Sequence, residues 1–305
     1  MIEGMLAEGL IFGIMVLGVF TTYRVLNFCD MTVDGSFPMG GAVMAVLLLK
    51  GVNPVLALAV AAAAGILAGL VTTFICTKFH IPDLLAGILM MTMLYSVNLR
   101  IMGCANISLY GMNTVFSSGI AASLADKIGE EWCIVVVMVL FALFIKCVLD
   151  LFFHTDMGLT MGALGSNEQM VISQGVNPVI LRGIGICLGN AFAALSGAFY
   201  AMYQGFADVG SGSGVVVSGL ASLMLGEFIL KSNKIGVQTL RVLIGSIIYR
   251  ALMYLARNYG FVIGMRADDL KLISGLLIIL CLALSRTNLG SLAKSKLKSA
   301  KGRQK

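Results

Sequence analysis

An all-α bundle of membrane-spanning helices is the fold this sequence predicts, on three observations. Hydrophobic residues make up 59% of the 305-residue chain and charged ones only 12%, about half the charged share of an ordinary soluble domain. Mean hydropathy is +0.97. Long apolar runs recur along the chain, most near the ~20 residues that cross a bilayer as helix. So few charges could not cover a globule of this size in water, which excludes a soluble enzyme, a nucleic-acid binder and a disordered scaffold.

In order, the runs are Leu6–Tyr23, Phe37–Leu49, Pro54–Cys76, Leu84–Ile101, Trp132–Phe153, Ile180–Tyr203, Val215–Ile229, Val237–Leu255 and Leu272–Leu284. Phe37–Leu49 and Leu272–Leu284 are only 13 residues each and suit half-helices, or spans with polar ends. The expectation is nine spans, within a range of eight to ten. Residues 1–285 then form one membrane domain, and 286–305 a basic cytoplasmic tail.

The net charge of +6 resides in that tail, which carries seven basic residues and no acid, leaving −1 for the rest. Terminal basicity of this kind is a topology signal, since cytoplasmic segments retain Lys and Arg. With the tail inside and nine spans, the N-terminus faces out. Inner segments then hold Arg24, Lys78, Lys146, Arg182, Lys231, Lys234, Arg241 and the tail, against Lys50, Arg100, Lys127, Arg257, Arg266 and Lys271 outside. The tail decides the contest. No basic n-region precedes the first run, so no cleavable leader is expected.

The seven cysteines contain no C-x-x-C pair and read as small buried hydrophobes, not a disulfide framework or zinc site. His80 and His154 are the only imidazoles, too few and too far apart for a metal site. P-loop, HExxH and Ser-His-Asp patterns are all absent, so no catalytic residue, metal or cofactor is expected. Glycine is frequent, 36 of 305. Two ladders at four-residue spacing, Ala61-Gly65-Gly69 and Gly185-Gly189-Ala193-Gly197, mark faces where helices approach closely.

Two stretches interrupt the apolar pattern. Asp30-Met-Thr32-Val-Asp34-Gly-Ser36-Phe-Pro38 reads either as a cytoplasmic turn whose Asp34 or Ser36 caps the next helix, or as a broken helix lining a solute path. Gln204 to Gly214, with Asp208 and the run GSGSG, is the second break. Segments 30–43 and 208–221 within them are both Asp-led, rich in Ser and Gly, and feed a short apolar run. If they enter from opposite sides, they are inverted repeats about an in-plane axis. Within spans, Arg250 predicts interhelical pairing or snorkelling, and Glu227 stands at a favourable spacing from Lys231. Two loops are long: Asn106–Glu131 outside, and His154–Gln174 inside. The inner loop is expected to hold a short helix from about Ser166 to Gly175, stopped by Gly175 and Asn177-Pro178.

Several blocks together resemble one family. Gly87–Gly103 (GILMMTMLYSVNLRIMG, containing Asn98), Asp30–Gly40, Met161–Met170, Gln174–Asn177, Ala194–Asp208, Gly219–Glu227 and Asp269–Leu272 resemble permeases of ATP-binding-cassette importers of the branched-chain amino acid and ribose type. They are most similar to the single-permease branch found beside binding proteins for aromatic amino acids and other small solutes. The resemblance implies a bacterial inner-membrane permease acting as a homodimer, with a pair of cytoplasmic ATPase subunits and an extracytoplasmic solute-binding protein. It also implies a coupling segment at about 158–178, with Gly162, Leu164, Gly165, Asn167, Gln174 and Gly175 meeting the ATPase. Asp30, Thr32, Asp34, Ser36, Asn98, Gln204 and Asp208 are the expected path or gate. Lipid is the remaining partner, and nucleic acid is not one. The rival reading is a self-sufficient secondary carrier or channel; a membrane enzyme has no candidate nucleophile.

Overall fold

The computed structural model describes residues 2–117, 129–230, 232, 234–260, 272, 275, 276 and 279. Helix α1 (Ile2–Val19) runs on through a π-helical turn, Phe20–Val25. Then come α2 (Val33–Leu49), α3 (Pro54–Phe79), α4 (Asp83–Met102) and strand β1 (Asn106–Ser108). After the outer loop follow α5 (Glu130–Phe153), α6 (Asp156–Ser166), α7 (Glu168–Ser173) and α8 (Pro178–Gln204). Strand β2 (Phe206–Asp208), a 3₁₀ turn (Val209–Gly212), α9 (Val215–Ile229) and α10 (Ile235–Gly260) complete the order.

Among the described residues seven helices are long and apolar enough to cross a bilayer, and Val33–Leu49 is a shorter eighth. The last apolar run is described at 272, 275, 276 and 279 only, all helical. The basic tail and the boundary at 285 lie outside the described residues.

Element ends follow local chemistry. Asn53 accepts from the Val55 N–H and Asn177 from the Val179 N–H, each before a proline at the first helical position, where the missing donor costs nothing. Gly103 and Gly205 end α4 and α8 at φ of +73° and +74°, a backbone that favours glycine. The π-helical turn shifts the register so that Leu26 N–H reaches the Thr21 carbonyl, while the Thr21 and Thr22 hydroxyls bond carbonyls one turn back. The predicted inner helix is α7, capped by Asn167 and followed by Gly175 at φ +80°; α6 before it, capped by Thr155, was not expected.

Helix α1 sits at the centre, with 78% of its apolar window buried against 28% for α4. Lipid supplies no hydrophobic drive, so packing rests on small residues and close approach. Both predicted ladders serve that end. Gly65 and Gly69 lie on the backbone of α8 at Asn190 and Cys187, and Gly189 packs against Gly18 of α1 and Thr22 of the π-helical turn. Gly197 meets the Phe37 carbonyl so closely that a Cβ would overlap it. At one end of the bundle β1 and β2 pair antiparallel, Asn106 opposite Asp208. At the other, α6 lies across the end of the π-helical turn, Gly165 against the Val25 carbonyl.

Candidate functional site

The two breaks meet inside the bundle. Residues 26–32 leave the helix and turn back before α2 begins at Val33, so Asp30, Thr32 and Ser36 lie beside Asn190, midway along α8. Asp30 accepts from the Thr32 N–H (2.9 Å) and from the Asn190 side-chain amide (2.7 Å). The Asn190 amide oxygen takes the Ser36 hydroxyl at 2.6 Å, and its nitrogen also reaches the Ile186 carbonyl. Thr72 donates to the Ala68 carbonyl, so its 3.0 Å contact with Thr32 has Thr32 as donor, each hydroxyl carrying one proton. All five side chains are buried. Among the described residues no cation pairs with Asp30, and the Thr32 and Asn190 donors satisfy its carboxyl as a buried polar group requires.

Asp34 does not cap its own helix as the sequence suggests. Its carboxylate reaches the start of α9 and accepts from the Gly214 (3.0 Å) and Val216 (2.7 Å) N–H groups. An anion at a helix N-terminus satisfies orphan donors and meets the positive end of the dipole. Thr32 precedes α2 without a side-chain cap bond, and Ser36 is spent on Asn190. Pro38 removes the donor that the Asp34 carbonyl would use within α2, and Gly212 packs against that carbonyl.

Asn98 on α4 donates to the Gly35 carbonyl at 3.1 Å, while its own carbonyl oxygen is buried without a partner. Such an acceptor costs about 1–3 kcal/mol unless something fills it. Asn98 lines a cavity of about 280 Å³ with Asp34, Pro38, Met91, Tyr95 and Val209.

Two expected path residues lie elsewhere. Gln204 stands at the β1–β2 end, 3.4 Å from Glu8, on a cavity of about 500 Å³ shared with Glu131, Tyr254 and Arg257. Asp208 caps the 3₁₀ turn through the Gly210 N–H and pairs with Asn106. Asn190 and Thr72 were not anticipated. A neutral amide flanked by glycine in an apolar helix was the one available signal for Asn190.

The charges inside the bundle pair between helices. Arg250 lies 3.3 Å over the Phe12 ring and 3.9 Å from Glu8. Glu227 bonds Arg24 (3.0 Å) and Arg241 (2.7 Å), joining the ends of α1, α9 and α10; Lys231, at helical spacing from it, lies outside the described residues. Of the expected coupling residues, Leu164 is buried, Gly165 lies under Val25, and Asn167 caps α7. Gly162, Gln174 and Gly175 are exposed. Arg182 and Glu168 tie α7 to α8 at 2.7 Å.

Apolar spanning helices, two of them interrupted and joined by polar side chains deep in the bundle, define a multi-pass membrane transport protein. The comparisons agree: residues 1–290 match the branched-chain amino acid transport system permease component, and the chain belongs to that family. It is 39% identical over 297 residues to the tyrosine transport system permease protein of Clostridioides difficile (strain R20291), covering 97% of this chain and 95% of that one. It is also 32% identical over 278 residues to an uncharacterized protein of Rickettsia prowazekii (strain Madrid E), covering 91% and 95%. No solved structure shows a significant match.

Proposed function

We propose that the chain is the permease subunit of an ATP-binding-cassette importer, forming a gated path for a small polar solute, an amino acid. It works in the bacterial inner membrane with its C-terminus in the cytoplasm. A second copy completes the path, cytoplasmic ATPase subunits drive it, and an extracytoplasmic binding protein delivers solute. The family match and the relative named for tyrosine transport support the solute class.

The observation that carries the coupling assignment is the seat of α6 on the π-helical turn. Gly165 lies against the Val25 carbonyl, and the chain runs from Val25 directly into the Asp30 break. Beside it, α7 presents exposed Met170 and Ile172 next to Gln174, a surface an ATPase groove could bind. A push on α6–α7 is thereby delivered to the segment holding Asp30 and Asp34. The packing of α3 on α8 and of α10 on α1 supports inverted repeats whose short helices, α2 and α9, meet at Asp34.

Reconstitution tests this reading. Alone in liposomes the chain should neither hydrolyse ATP nor accumulate solute; with its ATPase and binding protein, solute should stimulate hydrolysis and uptake. Gradient-driven uptake by the chain alone would establish the secondary carrier instead. A Gly165→Arg, Gln174→Arg variant that assembles and transports at full rate would remove the coupling assignment.

A further inference from the structure

A cavity of about 250 Å³ lies at the α6 end of the bundle, bounded by the π-helical turn, the end of α5, α6 and the first turns of α10. Its walls include Phe20, Phe153, Leu159 and Ile235. Arg24 is the only charged residue in the lining, and Gln238 adds an amide. The charges around Arg24 do not balance. Glu227 Oε1 serves both Arg24 (3.0 Å) and Arg241 (2.7 Å), so two guanidiniums share one carboxylate. Arg241 is buried, and the surplus positive charge therefore presents at Arg24, whose side chain is 57% exposed. Among the described residues Arg24 meets an acid only through Nε, which leaves the two terminal amines of its fork for a second anion. Asp150, close to Gly236 at the edge of the cavity, is already taken by Lys146 and the Thr239 hydroxyl.

The setting selects a lipid over a dissolved ion. Arg24 is the last residue but one of the span Ile2–Val25, the level at which the headgroups of a bilayer begin, and basic pockets between spanning helices at that level take anionic headgroups. Aromatic and aliphatic walls desolvate a free inorganic anion without repaying it, whereas they suit the first carbons of an acyl chain. Leu159 lines the cavity and is 56% exposed, so apolar surface continues from the cavity to the outside. We propose that this cavity seats the headgroup of an anionic phospholipid. Arg24 and the Gln238 amide, which has a second N–H beyond its 3.5 Å contact with the Ser232 carbonyl, hold the phosphate; Phe153 and Leu159 pack on the upper chain. The bound lipid joins α6 to the π-helical turn and to α10. This goes beyond the permease reading and depends only on the chain lying in a bilayer.

Native mass spectrometry of the purified full-length chain tests it, with phosphatidylglycerol, phosphatidylcholine or inorganic phosphate titrated in detergent. One phosphatidylglycerol should bind about tenfold more tightly than phosphatidylcholine, the worth of one charge-assisted hydrogen bond. Arg24→Ala should erase that preference. So should Gln238→Glu, which keeps the shape of the side chain and sets an acid in the cavity. Lys78→Ala, which removes an exposed cation of α3 outside the cavity, should leave the preference intact. None of the three side chains is buried, and the midpoint of thermal unfolding in lipid-free detergent confirms that each variant is folded. Equal binding of the two lipids overturns the site. A preference that survives both Arg24→Ala and Gln238→Glu, or that falls as much with Lys78→Ala, overturns it as well. Displacement of the lipid by inorganic phosphate overturns the lipid in favour of a dissolved anion. Release of the lipid when the ATPase subunit is added overturns it in favour of an acidic side chain of that subunit.

Discussion

The Asn190 amide lies 2.7 Å from the Asp30 carboxylate and accepts the Ser36 hydroxyl at 2.6 Å. One neutral side chain midway along α8 therefore holds the break between α1 and α2 on both its flanks. A chain that leaves the helix inside a membrane exposes backbone groups that lipid cannot satisfy, and this tie turns them inward.

Asn190→Leu keeps much of the volume and removes every bond. Loss of the bond to the carboxylate should destabilise by about 1.5–3 kcal/mol, seen as a lower midpoint of thermal unfolding in detergent. Adding Asp30→Asn removes the stranded carboxyl, so the double variant should be more stable than the sum of the two single losses. Strict additivity would show that the two groups do not interact.

Asp34→Ala leaves the N–H groups of Gly214 and Val216 without their acceptor. At about 0.5–2 kcal/mol for a lost cap, exchange of these amides should rise about 2- to 30-fold, with Asp34→Asn in between because its amide oxygen still accepts. Hydrogen exchange read on the peptide spanning 209–220 checks it; unchanged rates would mean that Asp34 does not hold α9.

Much of this was legible in the sequence. Apolar runs located eight helices to within a few residues, because hydropathy is read one segment at a time. The breaks at Asp30 and Gln204 stood out as polar, glycine-rich interruptions. What each side chain binds was not legible, because the partners are distant in sequence. Asp34 looked like the cap of its own helix but caps α9, about 180 residues on. Glu227 stood at helical spacing from Lys231, and the partners it is seen to bond, Arg24 and Arg241, are distant in sequence and were not legible from that spacing. Asn190, uncharged, escaped a search for expensive ions.

The Glu227 knot predicts unequal losses. Arg241 has a side chain only 7% exposed, whereas that of Arg24 is 57% exposed. Glu227→Ala strands the buried Arg241 guanidinium and should lower stability by about 3–5 kcal/mol. Arg24→Ala removes a solvated pair and should cost less than about 1 kcal/mol. Thermal unfolding of the two variants side by side decides; equal effects would place the energy of the knot in Arg24.

Two glycines of α6, three residues apart, face opposite environments. A Cβ on Gly165 would overlap the Val25 carbonyl, while one on Gly162 meets nothing within 4 Å. Gly165→Ala should therefore displace the π-helical turn and destabilise by about 1–3 kcal/mol, the usual penalty of overpacking. Gly162→Ala should be neutral or stabilising by up to about 1 kcal/mol, since alanine is the better helix former. The displacement caused by Gly165→Ala falls on the backbone leading to Asp30, so solute-stimulated hydrolysis in the assembled transporter should drop with it. A Gly165→Ala protein that unfolds at the original temperature and transports at the original rate would show that α6 and the break move independently.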